Sequence, residues 1–171
     1  RAFKPVVLRH ADTPTIAARV ALAKNKWGSE MEFVDDTGGY GGGVIDFLRQ
    51  AGHSPQAINA SSSPFDTQYF NKRSESWFLM KEWIKHGGCL PNISELQREL
   101  TAPTYTFNKG KFILEPKDQI KKRLGHSPDY ADALALTFAF PDMPAQLSTP
   151  GFNPYKANHK ADWDPYGTER N

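Results

Sequence analysis

Residues 31–60, MEFVDDTGGYGGGVIDFLRQAGHSPQAINA, constrain the fold more than any other stretch of the chain. MEFVD at 31–35 reads as a short strand running into Asp35 and Asp36, and five glycines interrupted by Tyr40 follow. The pattern VIDFLRQA then predicts a helix over 43–51, ended by Gly52, and QAINA at 56–60 predicts a second strand. Two strands joined through a helix run parallel, so this section is a βαβ unit and the domain is α/β.

The rest of the chain extends that unit in order. FKPVVLR at 3–9 predicts a strand, with Pro5 placing it at an edge or a strand start. Asp12 or Thr13 caps a helix with Pro14 in its first turn, and the helix runs through IAARVALAKNKW to Gly28. After the polar loop SSSPFDTQ, FNKRSESWFLMKEWIKHG predicts a long helix, with Trp77, Phe78, Met80 and Trp83 read as core. ISELQREL is a short helix. TYTFN and KFILE, separated by Lys109 and Gly110, form a hairpin. KDQIKKRLG is a short basic helix, and SPDYADALALTFAF a final one, with Ser127 as N-cap and Pro128 at its first position. Beyond Phe140 the sequence turns to Pro, Asn and Gly without periodicity. The expected organisation is a domain over 1–140 and a C-terminal tail over 141–171 that packs poorly.

The glycine turn invites a phosphate-loop reading, which its spacing refuses. A Walker loop needs Lys after the last glycine, where Val44 stands. A dinucleotide fingerprint needs a third glycine where Val44 or Asp46 stands. A carboxylate at the end of a strand remains, at the position where open α/β sheets bind ligands. Asp35 there suits a divalent cation, which prefers hard oxygen donors; Asp36 is an alternative, and both also suit turn or capping roles. The final helix carries Asp129 in its first turn and Asp132 three residues later, amid alanines and leucines. A carboxylate on so apolar a helix is costly unless it is paired, hydrogen-bonded or bound to metal. A strand-end acid and a helix-start acid together suit a hydrolase that holds two ions about 3.5–4 Å apart at a scissile phosphodiester. That reading expects the Asp35 and Asp129 carboxylates within about 4–8 Å of each other.

VDDTGGYGGGVIDFLRQAGH, YFNKRSESWFLMKEWIKHGG, ELTAPTYTF and EPKDQIKKRLGHSPDYADALALTF resemble successive blocks of the C-terminal nuclease domain of phage terminase large subunits. The match runs over about residues 6–140 in order, and its last block is the most specific. The resemblance implies a ribonuclease-H-like mixed sheet flanked by helices. It implies metal-dependent cleavage of concatemeric double-stranded DNA during genome packaging, with two Mg²⁺ or Mn²⁺ ions. Carried over by position, the catalytic acids are Asp35 and Asp129 with Asp132, and the metal ligands are Asp35 or Asp36, Asp129 and Asp132. Double-stranded DNA, the portal and the small terminase subunit follow as partners, and the cytoplasm of a bacterial host as the location. The family also carries a first catalytic aspartate on a hairpin upstream of PVVLR, which this sequence lacks. The expectation is therefore that residues 1–171 alone bind metal weakly and cleave poorly.

The basic residues Lys117, Lys121, Lys122 and Arg123, just before the acidic helix, and Lys72 and Arg73 are candidate phosphate contacts; solvated surface or capping roles compete. Tyr40 is read as packing against the sheet, and His126 as a loop residue with a local hydrogen bond. A formal charge of +2 gives no global field for nucleic acid, so such contact must come from local clusters. The single cysteine, Cys89, excludes an internal disulfide and a cysteine zinc site, and fits a reducing cytosol. No apolar run approaches the roughly 18 residues of a membrane span, and the N-terminus lacks the layout of a signal peptide. The competing class is a non-catalytic module that binds DNA or docks the packaging motor on its portal.

Overall fold

A computed structural model describes residues 1–140; the expected tail, with Asp142, Asp162, Trp163, Asp164 and Tyr166, lies outside the described residues. Helix α1 (Thr13–Trp27) starts at Asp12, whose side chain accepts the Thr15 N–H, and stops at Gly28, which takes the left-handed conformation that any other residue resists. Strand β1 (Phe33–Asp35) leads through a 3₁₀ turn (Thr37–Gly39) into α2 (Gly42–Gln50), and β2 (Gln56–Ile58) returns beside β1. Their register is parallel, Phe33 opposite Gln56 and Asp35 opposite Ile58, as a crossover helix requires.

Helix α3 (Lys72–Lys85) begins at Asn71, whose carboxamide accepts the Ser74 N–H. Helix α4 (Ser94–Thr101) follows, then the antiparallel hairpin β3 (Tyr105–Asn108) and β4 (Lys111–Leu114). Lys109 and Gly110 both take positive φ at its two-residue turn, the geometry that matches strand twist. Strand β4 is flanked on its other side by the loop before α3, where Phe70 N–H donates to the Phe112 carbonyl. Helix α5 (Lys117–Leu124) and helix α6 (Asp129–Leu136) complete the described chain.

The core lies where α3, α4, β4 and α6 meet: Trp77, Met80, Leu96, Leu114, Ala131 and Ala135 form one buried cluster. The alanines of α6 explain its place, since small side chains let it approach α3 and α4 closely. Two sequence expectations need correction here. Residues 3–9 form no strand, and Val6, Val7 and Leu8 are exposed, because among the described residues no neighbour supplies a ladder. Ser127 does not cap α6, and Pro128 stands at its N-cap without a side-chain bond. The cap comes instead from α4, where the buried Glu99 carboxylate accepts the Ala131 N–H at 2.9 Å. Burial raises the pKa of Glu99, while the Ala131 and Tyr130 N–H groups pull it back.

Candidate metal and phosphate site

A cleft of about 450 Å³ opens at the C-terminal end of β1, between the start of α3, the end of β4 and one face of α6. Asp35, Thr37, Ser61, Asn71, Arg73, Lys117 and Asp132 supply most of its polar wall, and Ile58, Trp77 and Leu136 part of its apolar wall. Its polar side chains therefore come from segments far apart in sequence.

Asp35 reaches the cleft because the chain must turn sharply after β1. Its Oδ1 accepts the Thr37 N–H at 3.0 Å and the Thr37 hydroxyl at 2.6 Å, and the Thr37 hydroxyl oxygen accepts the Ala60 N–H at 3.0 Å. The carboxylate is thus tied through Thr37 to the chain after β2. Asp36 does a different job: its Oδ1 accepts the Gly41 N–H at 3.0 Å and closes the glycine turn. A Cβ on Gly41 would stand 2.3 Å from the Asp35 carbonyl oxygen. The glycine is there so that backbone can press against backbone behind Asp35. Tyr40, read from sequence as packing inward, is 94% exposed, because the turn points it away from the sheet.

Asp132 meets the cleft from α6. Trp77 Nε1–H donates to its Oδ1 at 3.0 Å, and Lys117 Nζ lies 2.8 Å from its Oδ2. Arg73 Nη2 lies 3.7 Å from Oδ1; that nitrogen is buried with no hydrogen-bond partner among the described residues, while Nη1 donates to the Glu115 carbonyl. Burial lowers the Arg73 pKa, and Asp132 and Glu115 oppose that shift. Asp129 does not line this cleft. Its carboxylate is 78% exposed, lies 3.8 Å from Lys117 Nζ, and borders a second cavity beside Val6–Arg9, Glu99 and His126. Three positions along α6 separate the two acids, and Asp132 is the one that shares a cleft with Asp35.

The other candidates divide similarly. Lys72 lines the cleft wall, but its ammonium is buried against the Glu75 carboxylate and 3.5 Å from the Phe65 ring centroid. Arg123 forms a two-pronged pair with Glu115, Nη2 lying 2.6 Å from Oε2, and Nη2 also donates to the Ala102 carbonyl. Arg123, joined by Thr104, holds Glu115 down to about 2. Lys121 and Lys122 are exposed on α5. His126 Nδ1 lies 2.8 Å from the Ser127 carbonyl and 3.6 Å from Glu99. Sequence reasoning missed Thr37 and Trp77; only the two-residue spacing of Thr37 from Asp35 hinted at the first, and nothing local at the second.

The donor chemistry can be tested against a divalent ion. Asp35 and Asp132 are hard oxygen donors, and the Lys117 ammonium sits against one of the Asp132 oxygens, at the place a cation would take. Among the described residues no three His, Cys, Asp or Glu side chains converge on one point. Two carboxylates fit one Mg²⁺-like ion, which keeps waters and takes further oxygens from a substrate phosphate. They do not by themselves furnish a closed two-ion site.

The fold and the strand-end cleft define a ribonuclease-H-like α/β domain. The particular likeness is to the nuclease domain of the large terminase subunit gp2 of bacterial virus Sf6, with 25% identity, a TM-score of 0.54, and coverage of 74% of this chain and 72% of that one. A point mutant of that domain with manganese gives a TM-score of 0.57 at 24% identity over 77% of this chain and 75% of its own. The same mutant with calcium gives 0.57 at 24%, over 77% and 74%. No protein-family profile matches the sequence, and no curated protein matches it.

Proposed function

We propose that this chain is a metal-dependent DNA endonuclease domain of a phage packaging terminase large subunit, acting on concatemeric double-stranded DNA. The observation that carries the reading is the meeting of Asp35 and Asp132, from a strand end and a distant helix, in one cleft with Lys117. The likeness to the Sf6 nuclease domains, in structures with manganese and calcium, supports it.

Asp35 and Asp132 would hold the ion, Mg²⁺ or Mn²⁺. A bound divalent ion there supplies charge for the phosphate and lowers the pKa of water. The chain's own residues do the rest. Thr37 fixes the Asp35 carboxylate through Oδ1 at the wall of the cleft. Lys117, with 46% of its side chain exposed, is free to move from Asp132 to a phosphate oxygen when the cleft fills. Lys121 and Lys122, farther along the same helix, extend that positive edge along a DNA backbone. In this reading the partners beyond DNA are the portal and the small terminase subunit, and the site of action is the bacterial cytoplasm. Among the described residues no helix is long and apolar enough to cross a membrane.

The non-catalytic reading keeps one observation in its favour: Asp132 is already satisfied by Trp77 and Lys117. Plasmid nicking separates the two. Residues 1–171 should nick supercoiled DNA slowly with Mn²⁺, and Asp35→Asn and Asp132→Asn should each remove the activity. Mn²⁺ binding that survives both substitutions, or DNA binding without any Mn²⁺ binding, supports the non-catalytic module.

A further inference from the structure

The Asp132 carboxylate has three donors around it, and they are not equivalent. Lys117 and Arg73 are cations, so each cancels the charge that a metal ion would need. Trp77 is neutral: its indole N–H, 3.0 Å from Oδ1, can fix the carboxylate without discharging it. Trp77 is also the rigid member. Only 6% exposed, it is packed in the core cluster with Met80, Leu114 and Ala135. Arg73 Nη2, at 3.7 Å, lies beyond hydrogen-bond reach of the same oxygen, so Trp77 alone sets it. With Oδ1 held, Oδ2 is the oxygen that contacts Lys117, a half-exposed residue of the cleft wall. Core packing by itself asks only for a large apolar ring at position 77, and phenylalanine would meet that demand.

The geometry points to Trp77 as a positioning residue: its indole N–H holds Asp132 so that Oδ2 is the oxygen exchanged between Lys117 and a divalent cation. This rests on the nuclease reading above and names a member of the site that its acids do not. The roles are divided by chemistry. Trp77 orients, Lys117 guards, and Asp132 binds.

The test uses the full chain labelled with ¹⁵N, Mn²⁺ as the probe, and the variants Trp77→Phe, Asp132→Ala and Met80→Ala. Met80→Ala weakens the same core without touching Asp132 and controls for loss of packing. Free Mn²⁺ is read by electron paramagnetic resonance, and the indole N–H signals by NMR, with the Trp77 signal assigned in the wild-type chain by nuclear Overhauser contacts to its core neighbours. Trp77→Phe should weaken Mn²⁺ binding by about 10- to 100-fold, the usual cost of losing a group that orients a metal ligand. Met80→Ala should leave Mn²⁺ binding unchanged. The Trp77 signal should move upfield in Asp132→Ala, a measurement that stands even if Trp77→Phe does not fold. Wild-type affinity in Trp77→Phe, an equal loss in Met80→Ala, or an unmoved indole signal each overturns the positioning role alone. A wild-type chain that binds no Mn²⁺ while its indole signal still responds to Asp132→Ala overturns the nuclease reading and this role with it.

Discussion

Glu115 is held in its ionised form by its neighbours, and its role is structural rather than chemical. The Arg123 guanidinium, then the Thr104 N–H and hydroxyl, favour its ionised form, so its pKa falls to about 2. A carboxylate depressed in the folded state contributes stability that is present above its ordinary pKa and is lost as pH falls through the lower value. The stability difference between the wild type and Glu115→Gln should therefore be full at pH 7 and shrink between about 4.5 and about 2. Thermal melts across that range check it, and a constant difference would refute the pairing. Arg123 is committed to this pair, so Arg123→Ala should lower the melting temperature. At α5, Lys121→Ala and Lys122→Ala should leave melting unchanged and flatten the salt dependence of DNA binding. The log–log slope should fall by about 0.9 for each phosphate left without its lysine.

At the scale of elements, the glycine turn and the hairpin make opposite demands on one residue. Gly41 has an ordinary φ but no room: a methyl group there would overlap the Asp35 carbonyl. Gly41→Ala should cost about 2 kcal/mol or more, through overpacking that displaces the strand end. Its neighbour Gly42 opens α2 with nothing near its Cβ position, so Gly42→Ala should be neutral or stabilise by about 0.5–1 kcal/mol. Chemical denaturation of the pair separates steric from entropic glycine. At the hairpin, Lys109 sits at φ 50° before Gly110, a conformation that asparagine tolerates better. Lys109→Asn should stabilise by a few tenths of a kcal/mol to about 1 kcal/mol, read as a shift in denaturation midpoint without a change in slope.

For the whole molecule, the cleft links the βαβ unit to the α3–α6 core, so an ion held from both sides favours the folded state. Mn²⁺ at a hundred times its dissociation constant should stabilise the chain by about 2.7 kcal/mol. The shift should vanish in Asp132→Ala, and calorimetry with and without Mn²⁺ measures it. An equal Mn²⁺ shift in Asp132→Ala would place the ion elsewhere.

The sequence by itself determined the elements whose signals are local. The parallel βαβ unit, the Lys109–Gly110 turn, the Asp12 and Gly28 caps, and the placing of Asp35 at a strand end follow from residue chemistry within a few positions. It also offered four acids, Asp35, Asp36, Asp129 and Asp132, at the end of β1 and the start of α6, two of the segments around the cleft. Which of them share the cleft was a tertiary decision. Asp129 and Asp132 are almost equivalent on a helical wheel, and only the packing of α6 against Trp77 and α3 turns Asp132 inward and leaves Asp129 at the rim. The same holds for Glu99, an acid of α4 that caps α6 in place of Ser127, and for residues 3–9, apolar enough for a strand yet unpaired. Periodicity and capping are set by neighbours along the chain. Pairing, orientation and burial are set by neighbours across it, and those exist only once the helices have packed.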